Sequence, residues 1–231
     1  MWKLYSNKPG PGVEKDEPPV KGLRLFFQIL YHEFFSLIGV NFLFYLFCIP
    51  IITIPASYCA MTRITVNMAR NQPYFLWSDF WTTFRLEFRK ATIAGIVCIA
   101  GLTASAIAIW FYRGLVGWHP IFLLLSAFSV FWATILIFVS FSLFPMIPIV
   151  DLPLKKIVKN ALLLIPLSFF RYIFVSLTCV VLVVLGFLFL PFSLIPMLLL
   201  YPSLFSLIIA FGAYGGIRKY VLRDVTNTEE A

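Results

Sequence analysis

The longest segment without a charged residue sets the strongest limit on the fold of this chain. Residues 172–217 contain no Asp, Glu, Lys or Arg, and most of them are Leu, Ile, Val or Phe. A transmembrane helix needs about 20 apolar residues to cross a hydrocarbon layer of about 30 Å. This segment is therefore long enough for two crossings. The sequence PFSLIP, residues 191–196, predicts the turn between spans at 172–190 and 196–216.

Three other apolar segments, at 35–53, 91–110 and 121–143, are predicted to be further spans. The whole chain of 231 residues is 61% hydrophobic and only 12% charged, about half the charged fraction of soluble domains. We therefore predict an all-α fold, a polytopic transmembrane helical bundle of about five spans. A single transmembrane domain is expected at 21–223, between polar tails at 1–20 and 224–231. His32 and Glu33 are interpreted as interfacial residues at the mouth of the first span, or alternatively as a proton-relay pair.

Two basic amphipathic helices are predicted to lie in the membrane interface, one at 56–70 and one following Asp151. The first has Ala60, Met61, Ile64 and Met68 on one side, and the second separates its lysines from Leu154 and Val158. An aromatic helix at 78–90 follows a turn at Asn71, and it has tryptophans and cations, which prefer headgroup depth and the cytoplasmic side. The candidate interfacial and partner-docking residues are Arg63, Arg70, Trp77, Trp81, Arg85, Arg89, Lys90, Lys155, Lys156 and Lys159.

Small residues in two of the predicted spans indicate where helices approach one another closely. The candidate helix-packing residues are Gly95, Gly101 and Ser105 in the second span and Gly212 and Gly216 in the last.

The distribution of cations predicts the orientation of the chain in a cell membrane. Arg113 is the only Lys or Arg in the loops after the second and fourth spans, although the net charge is +8. Cations concentrate in cytoplasmic loops, where they also meet anionic lipids of the inner leaflet. With five spans, the basic loops and the C-terminus are cytoplasmic and the N-terminus is outside. In an alternative topology, residues 35–70 form a re-entrant hairpin that turns at PIITIP, leaving four full spans and both ends inside.

The stretch from Pro55 to Gly95 carries a family resemblance. It combines Pro55 and Ala56, a helix through Arg63 and Arg70, an aromatic stretch, and the sequence EFRK at 87–90 before the next span. With Asn41 in the first span and KKIVKNALLL at 155–164, it resembles the YesL-like family of bacterial integral membrane proteins of unknown function. Ile54 departs from the small residue that is usual in that family.

The resemblance implies a cytoplasmic membrane protein of the Gram-positive type with a role in sugar uptake. Genes of this family often lie beside genes for carbohydrate ABC transporters, which implies an accessory role and sugar-transporter permease subunits as partners. The family has no established catalytic residues, so the resemblance implies none in this chain.

The expected function is therefore that of a non-enzymatic accessory or assembly component of carbohydrate transport. A small autonomous transporter or channel is the alternative. Proline-broken spans favour it, but the spans contain few ionisable residues of the kind that coupled carriers use. No HExxH motif, intramembrane aspartate pair or Ser/His pair indicates an enzyme. No cofactor, metal or nucleic acid is expected, and the four separate cysteines are interpreted as small apolar residues.

Overall fold

The computed structural model describes residues 23–117, 119–190 and 192–218, and these residues form eight α-helices and no strand. The helices are α1 (Leu23–His32), α2 (Phe34–Phe47), α3 (Ile54–Ala69), α4 (Leu76–Leu115), α5 (Ile121–Met146), α6 (Leu154–Leu167), α7 (Phe169–Leu188) and α8 (Leu194–Ile217). A short 3-10 helix, Ile51–Thr53, precedes α3. The predicted all-α class is confirmed. The predicted polar tails, and Pro191 of the predicted turn, lie outside the described residues.

Helices α4, α5, α7 and α8 are each long and apolar enough to cross a membrane. A fifth crossing is possible only if α1 and α2 act together, and these two helices are bent by 74° at the break between them. The count of four to five candidate spans agrees with the predicted polytopic bundle. Helix α2 ends at Phe47 rather than near residue 53, and its 14 residues are about 21 Å long, short of the hydrocarbon thickness.

Helix α4 joins two segments that were predicted as separate elements. The aromatic helix at 78–90 and the span at 91–110 form one continuous helix of 40 residues, about 60 Å long. No proline interrupts it, and its first glycine is Gly95. Since about 30 Å is enough to cross the hydrocarbon layer, α4 exceeds the length of one crossing by about a factor of two.

Helix α3 is enclosed by the bundle, which corrects the prediction of an interfacial helix with one exposed side. Only Ile54, Tyr58 and Arg63 of this helix are not buried. The side that was expected to be polar, with Arg63 and Arg70, is covered by residues after α5 and in α8: the guanidinium of Arg63 bonds to the carbonyl of Pro148, and that of Arg70 lies over the ring of Tyr214. The hydroxyls of Thr62 and Thr65 also find hydrogen-bond partners inside the bundle.

Two helical hairpins, α4 with α5 and α7 with α8, extend from a core that α3 and α6 complete. Ile157 and Leu164 of α6, Met146 of α5 and Tyr172 of α7 are fully buried in this core. The helices of these hairpins bury few of their own residues, as expected for apolar side chains that would face lipid in a membrane.

The predicted helix-packing residues occupy close contacts between helices. A Cβ atom added at Gly95 would collide with the ring of Pro55 in α3, and one added at Gly101 would lie 2.8 Å from a methyl group of Leu136 in α5. Gly212 and Gly216 face Val175 and Ser168 in the same way. Ser105 is buried, and its hydroxyl donates to the carbonyl of Gly101 at 2.8 Å.

Candidate functional site

A proline after α5 leaves one backbone carbonyl without its helical hydrogen bond, and a side chain of α3 supplies the donor. Pro148 has no N–H, so the carbonyl of Phe144, four residues earlier, lacks the donor that a regular helix would provide. The hydroxyl of Thr62 lies 3.3 Å from that carbonyl and 2.7 Å from the carbonyl of Cys59. Arg63 donates through Nη1 to the carbonyl of Pro148 at 2.5 Å. Helix α3 therefore supplies hydrogen-bond donors to the end of α5.

A second proline break, in α8, is spanned by Asn41 of α2. Pro202 lies inside α8, where its ring crowds the preceding turn and bends a helix. The side-chain amide of Asn41 donates to the carbonyl of Leu199 at 2.6 Å and accepts the backbone N–H of Ser203 at 2.9 Å. In a regular helix those two backbone groups would bond to each other. Asn41 is 1% exposed, so it replaces a helical bond within the bundle.

One further buried contact connects these two breaks. The hydroxyls of Thr65 in α3 and Ser206 in α8 lie 2.8 Å apart, and both residues are fully buried. We call the residues that bond at the two proline breaks, together with this contact, the polar seam. Its members are Asn41, Thr62, Arg63, Thr65, Ser203 and Ser206. Its groups pair with one another or with backbone carbonyls, and it contains no carboxylate. This arrangement joins helices and offers no open coordination site. Sequence reasoning missed Thr62, Thr65, Ser203 and Ser206, because the residues that lie opposite a proline break are set by helices distant in the sequence.

Three of the predicted docking cations are engaged by the protein itself. Arg63 bonds to the end of α5, and the guanidinium of Arg70 lies over the ring of Tyr214, 5.4 Å from its centroid. Lys90 lies 3.1 Å from the carboxylate of Glu87 and 3.8 Å from that of Asp151. The contact with Asp151 places the charged part of α4 beside the start of α6.

The other five predicted docking cations are exposed. We call them the cationic surface, and they are Arg85, Arg89, Lys155, Lys156 and Lys159. The α6 residues Leu154 and Val158 border an apolar cavity together with Ala94 and Val97 of α4. This packing, with the contact between Lys90 and Asp151, brings the two basic segments to one end of the bundle.

The predicted aromatic residues border the cationic surface. Trp77 and Trp81 pack around Phe47 at the end of α2, with ring centroids 6.3 and 5.5 Å away. Their side chains remain 59% and 38% exposed, and the guanidinium of Arg85 lies 5.5 Å from the centroid of Trp81. An exposed surface of cations beside large aromatic side chains has the composition of protein interfaces and of headgroup contacts.

An open cleft of about 690 Å³ lies at the break between α1 and α2. There the hydroxyl groups of Tyr74 and Ser36 donate to Oε2 of Glu33 at 2.5 and 2.8 Å. Burial, together with the hydrogen bond to Glu33, raises the pKa of Tyr74 to about 12. The phenol is therefore protonated at neutral pH, and Glu33 connects the bend to the turn before α4. In that turn Asn71 has a φ of 54°, a conformation that asparagine tolerates well.

Within residues 23–117, 119–190 and 192–218, no group of three or more His, Cys, Asp or Glu side chains could hold a metal ion.

Residues 37–109 match the family described as "Protein of unknown function, DUF624". No curated protein and no solved structure matches the chain. The matched region runs from α2 through most of α4, so it includes Asn41, all of α3 and the aromatic and cationic residues of α4. In this region the chain is similar to a family whose function is unassigned.

Proposed function

We propose that this protein is a non-enzymatic accessory component of a carbohydrate ABC transporter, a YesL-like protein that docks on the permease subunits. The observation that carries the proposal is the cationic surface. Within the described residues, none of its five side chains lies within 4.0 Å of a carboxylate, so its charge is available to an outside partner. Acidic patches on a permease and anionic lipids are complementary to it.

The interior of the bundle supports an accessory role. A transporter needs a path of polar groups that can bind and release the solute, and such paths usually contain ionisable groups. The groups of the polar seam, including the guanidinium of Arg63, instead bond to the backbone at the proline break after α5 and at the one in α8. A polar seam whose side chains bond within the bundle suits a protein that holds another complex in place.

Affinity purification from the native host in mild detergent tests this proposal. Sugar-transporter permease subunits are expected to co-purify with the tagged wild-type chain. Replacing the five cations of the cationic surface with glutamine should reduce their recovery by about tenfold, equivalent to about 1.4 kcal/mol of binding free energy. Arg113→Gln removes a cation elsewhere in the chain and should leave recovery unchanged. Recovery of the chain alone, or equal recovery with the five-residue variant, would contradict the proposal.

An autonomous transporter is the second candidate, and the proline breaks of α5 and α8 favour it. Broken helices are common around the solute sites of secondary transporters. Sugar flux into liposomes that contain only this chain, above that of protein-free liposomes, would establish this function. The accessory proposal predicts no such flux.

We further propose that the bundle has four full spans, with α1 and α2 as a re-entrant pair and the N-terminus in the cytoplasm. The five-span topology, with the N-terminus outside, is the alternative. Phe26 of α1 packs edge-to-face on Phe211, 5.5 Å away, close to the end of α8 that precedes Arg218. Phe47, at the end of α2, packs on Phe80 beside the cations of α4. Both ends of the pair thus lie near cationic segments, which supports a return to the same side.

Cysteine labelling tests this topology. In a chain whose four native cysteines are replaced by alanine, Ser6→Cys should react with a membrane-impermeant maleimide only after the cells are permeabilised. Gly117→Cys, in the loop between α4 and α5, should react in intact cells. Labelling of Ser6→Cys in intact cells would instead support five spans.

A further inference from the structure

A groove of about 340 Å³ runs between α1, α7 and α8. Most of its lining is hydrocarbon, from Phe26 of α1, Phe174 of α7, and Ile208 and Phe211 of α8. Thr178 also borders it, and that hydroxyl donates to the carbonyl of Phe174 within its own helix. The groove is therefore an apolar channel beside the membrane-spanning part of the α7–α8 hairpin.

Among the described residues, Arg171 is the one charged side chain that lines this groove. It immediately precedes the uncharged segment 172–217, so it lies at the boundary between the apolar segment and the polar region. Its guanidinium rests against Gly215 of α8, where a Cβ atom would collide with Nη1. The absence of a side chain at Gly215 thus makes room for the guanidinium between the two helices. No carboxylate lies within 4.0 Å of Arg171 in the part of the chain that the structure describes.

We propose that this groove binds one anionic phospholipid, with an acyl chain in the apolar channel and the phosphate on Arg171. A guanidinium presents paired N–H donors that match phosphate oxygens. Basic pockets between membrane helices are known to hold anionic headgroups, and the volume lies within the range of small-molecule sites. The apolar walls of the groove fit an acyl chain, and the guanidinium of Arg171 fits a negatively charged group. A phospholipid such as phosphatidylglycerol combines both, whereas a free phosphate lacks the chain. This inference does not depend on the transporter partner.

Native mass spectrometry of the purified full-length protein tests the site, with phosphatidylglycerol and phosphatidylcholine of identical acyl chains as probes. The wild-type chain should retain one phosphatidylglycerol with an affinity about tenfold higher than that for phosphatidylcholine. Arg171→Gln should remove this preference, and Thr178→Trp should weaken binding of both lipids by filling the channel. Arg113→Gln is the control, with wild-type lipid binding expected.

Several results would overturn the proposal. Equal affinity for the two lipids in the wild-type chain, or an unchanged preference in Arg171→Gln, would remove the role of the cation. Unchanged binding in Thr178→Trp would remove the role of the groove. Binding of soluble glycerol phosphate as tight as that of phosphatidylglycerol would assign the site to a free phosphate ester. Arg171→Lys keeps the charge and should retain part of the preference, so it separates loss of the site from a general folding defect.

Discussion

Replacing Asn41 with leucine is expected to cause a large loss of stability in the bundle. The change leaves the carbonyl of Leu199 and the N–H of Ser203 without their side-chain partners, next to Pro202. Each buried backbone group without a partner costs about 1–3 kcal/mol, so the free energy of unfolding should fall by about 2–6 kcal/mol. Reversible unfolding in mixed micelles of dodecyl maltoside and sodium dodecyl sulfate measures this change.

A second substitution separates the hydrogen-bonding role of Asn41 from simple packing. In the double variant Asn41→Leu with Pro202→Ala, α8 can become regular, and the Ser203 N–H can bond to the Leu199 carbonyl directly. The double variant should therefore recover most of the lost stability, as a double-mutant cycle would show. Asn160→Leu on α6, which is partly exposed, is the matched control and should cost under about 1 kcal/mol. No recovery in the double variant would contradict the proposed repair of the proline break.

Replacing Gly95 with alanine is expected to separate α3 from α4. The new methyl group would overlap the ring of Pro55, and this ring is rigid and fixed at the start of α3. Overpacking of a buried contact costs about 1–3 kcal/mol. The result should be a lower midpoint of thermal aggregation in detergent and a broader elution profile on size-exclusion chromatography.

The other glycines of α4 provide a graded set of controls. An alanine at Gly101 would meet the flexible end of Leu136 at 2.8 Å, so a smaller loss is expected. An alanine at Gly114 would meet nothing within 4 Å, and its better helix propensity should make it neutral or stabilising by up to about 1 kcal/mol. The expected order of stability is Gly114→Ala, then Gly101→Ala, then Gly95→Ala. Equal effects at all three positions would count against the packing described for α3.

The long apolar helices could be predicted from the sequence because their stability in a membrane depends on the composition of the segment itself. A segment such as 172–217 has no alternative to membrane burial, and lipid leaves its backbone no alternative to helix. The glycines at helix contacts could also be predicted from the sequence, since Gly95 and Gly101 lie among other small residues. In these cases the amino-acid composition of a segment is enough to predict whether its helix lies in lipid or against another helix.

The enclosure of α3 could not be predicted, because it depends on partners distant in the sequence. Arg63 and Arg70 have the spacing of surface cations, yet their guanidinium groups meet the carbonyl of Pro148 and the ring of Tyr214. A helical wheel shows which residues share a side but not which neighbour covers it. The amphipathic pattern of α6 was a better guide, because its lysines are exposed.

The bend between α1 and α2 has a similar explanation. No proline or glycine occurs near Glu33, so the local sequence favours one continuous helix. The carboxylate of Glu33 is instead bound by Tyr74, a residue 41 positions later. A contact over that distance in the chain leaves no signature in helical periodicity.

Site-specific photocrosslinking in living cells tests the central claim, which is that the cationic surface docks on a sugar-transporter permease. A photoreactive amino acid would replace Leu86, which is 73% exposed beside Arg85, or Trp110, which is 79% exposed near the other end of α4. We expect adducts with permease subunits from position 86 and none from position 110. Permease adducts from position 110 alone, or adducts from position 86 that contain no transporter subunit, would contradict this claim.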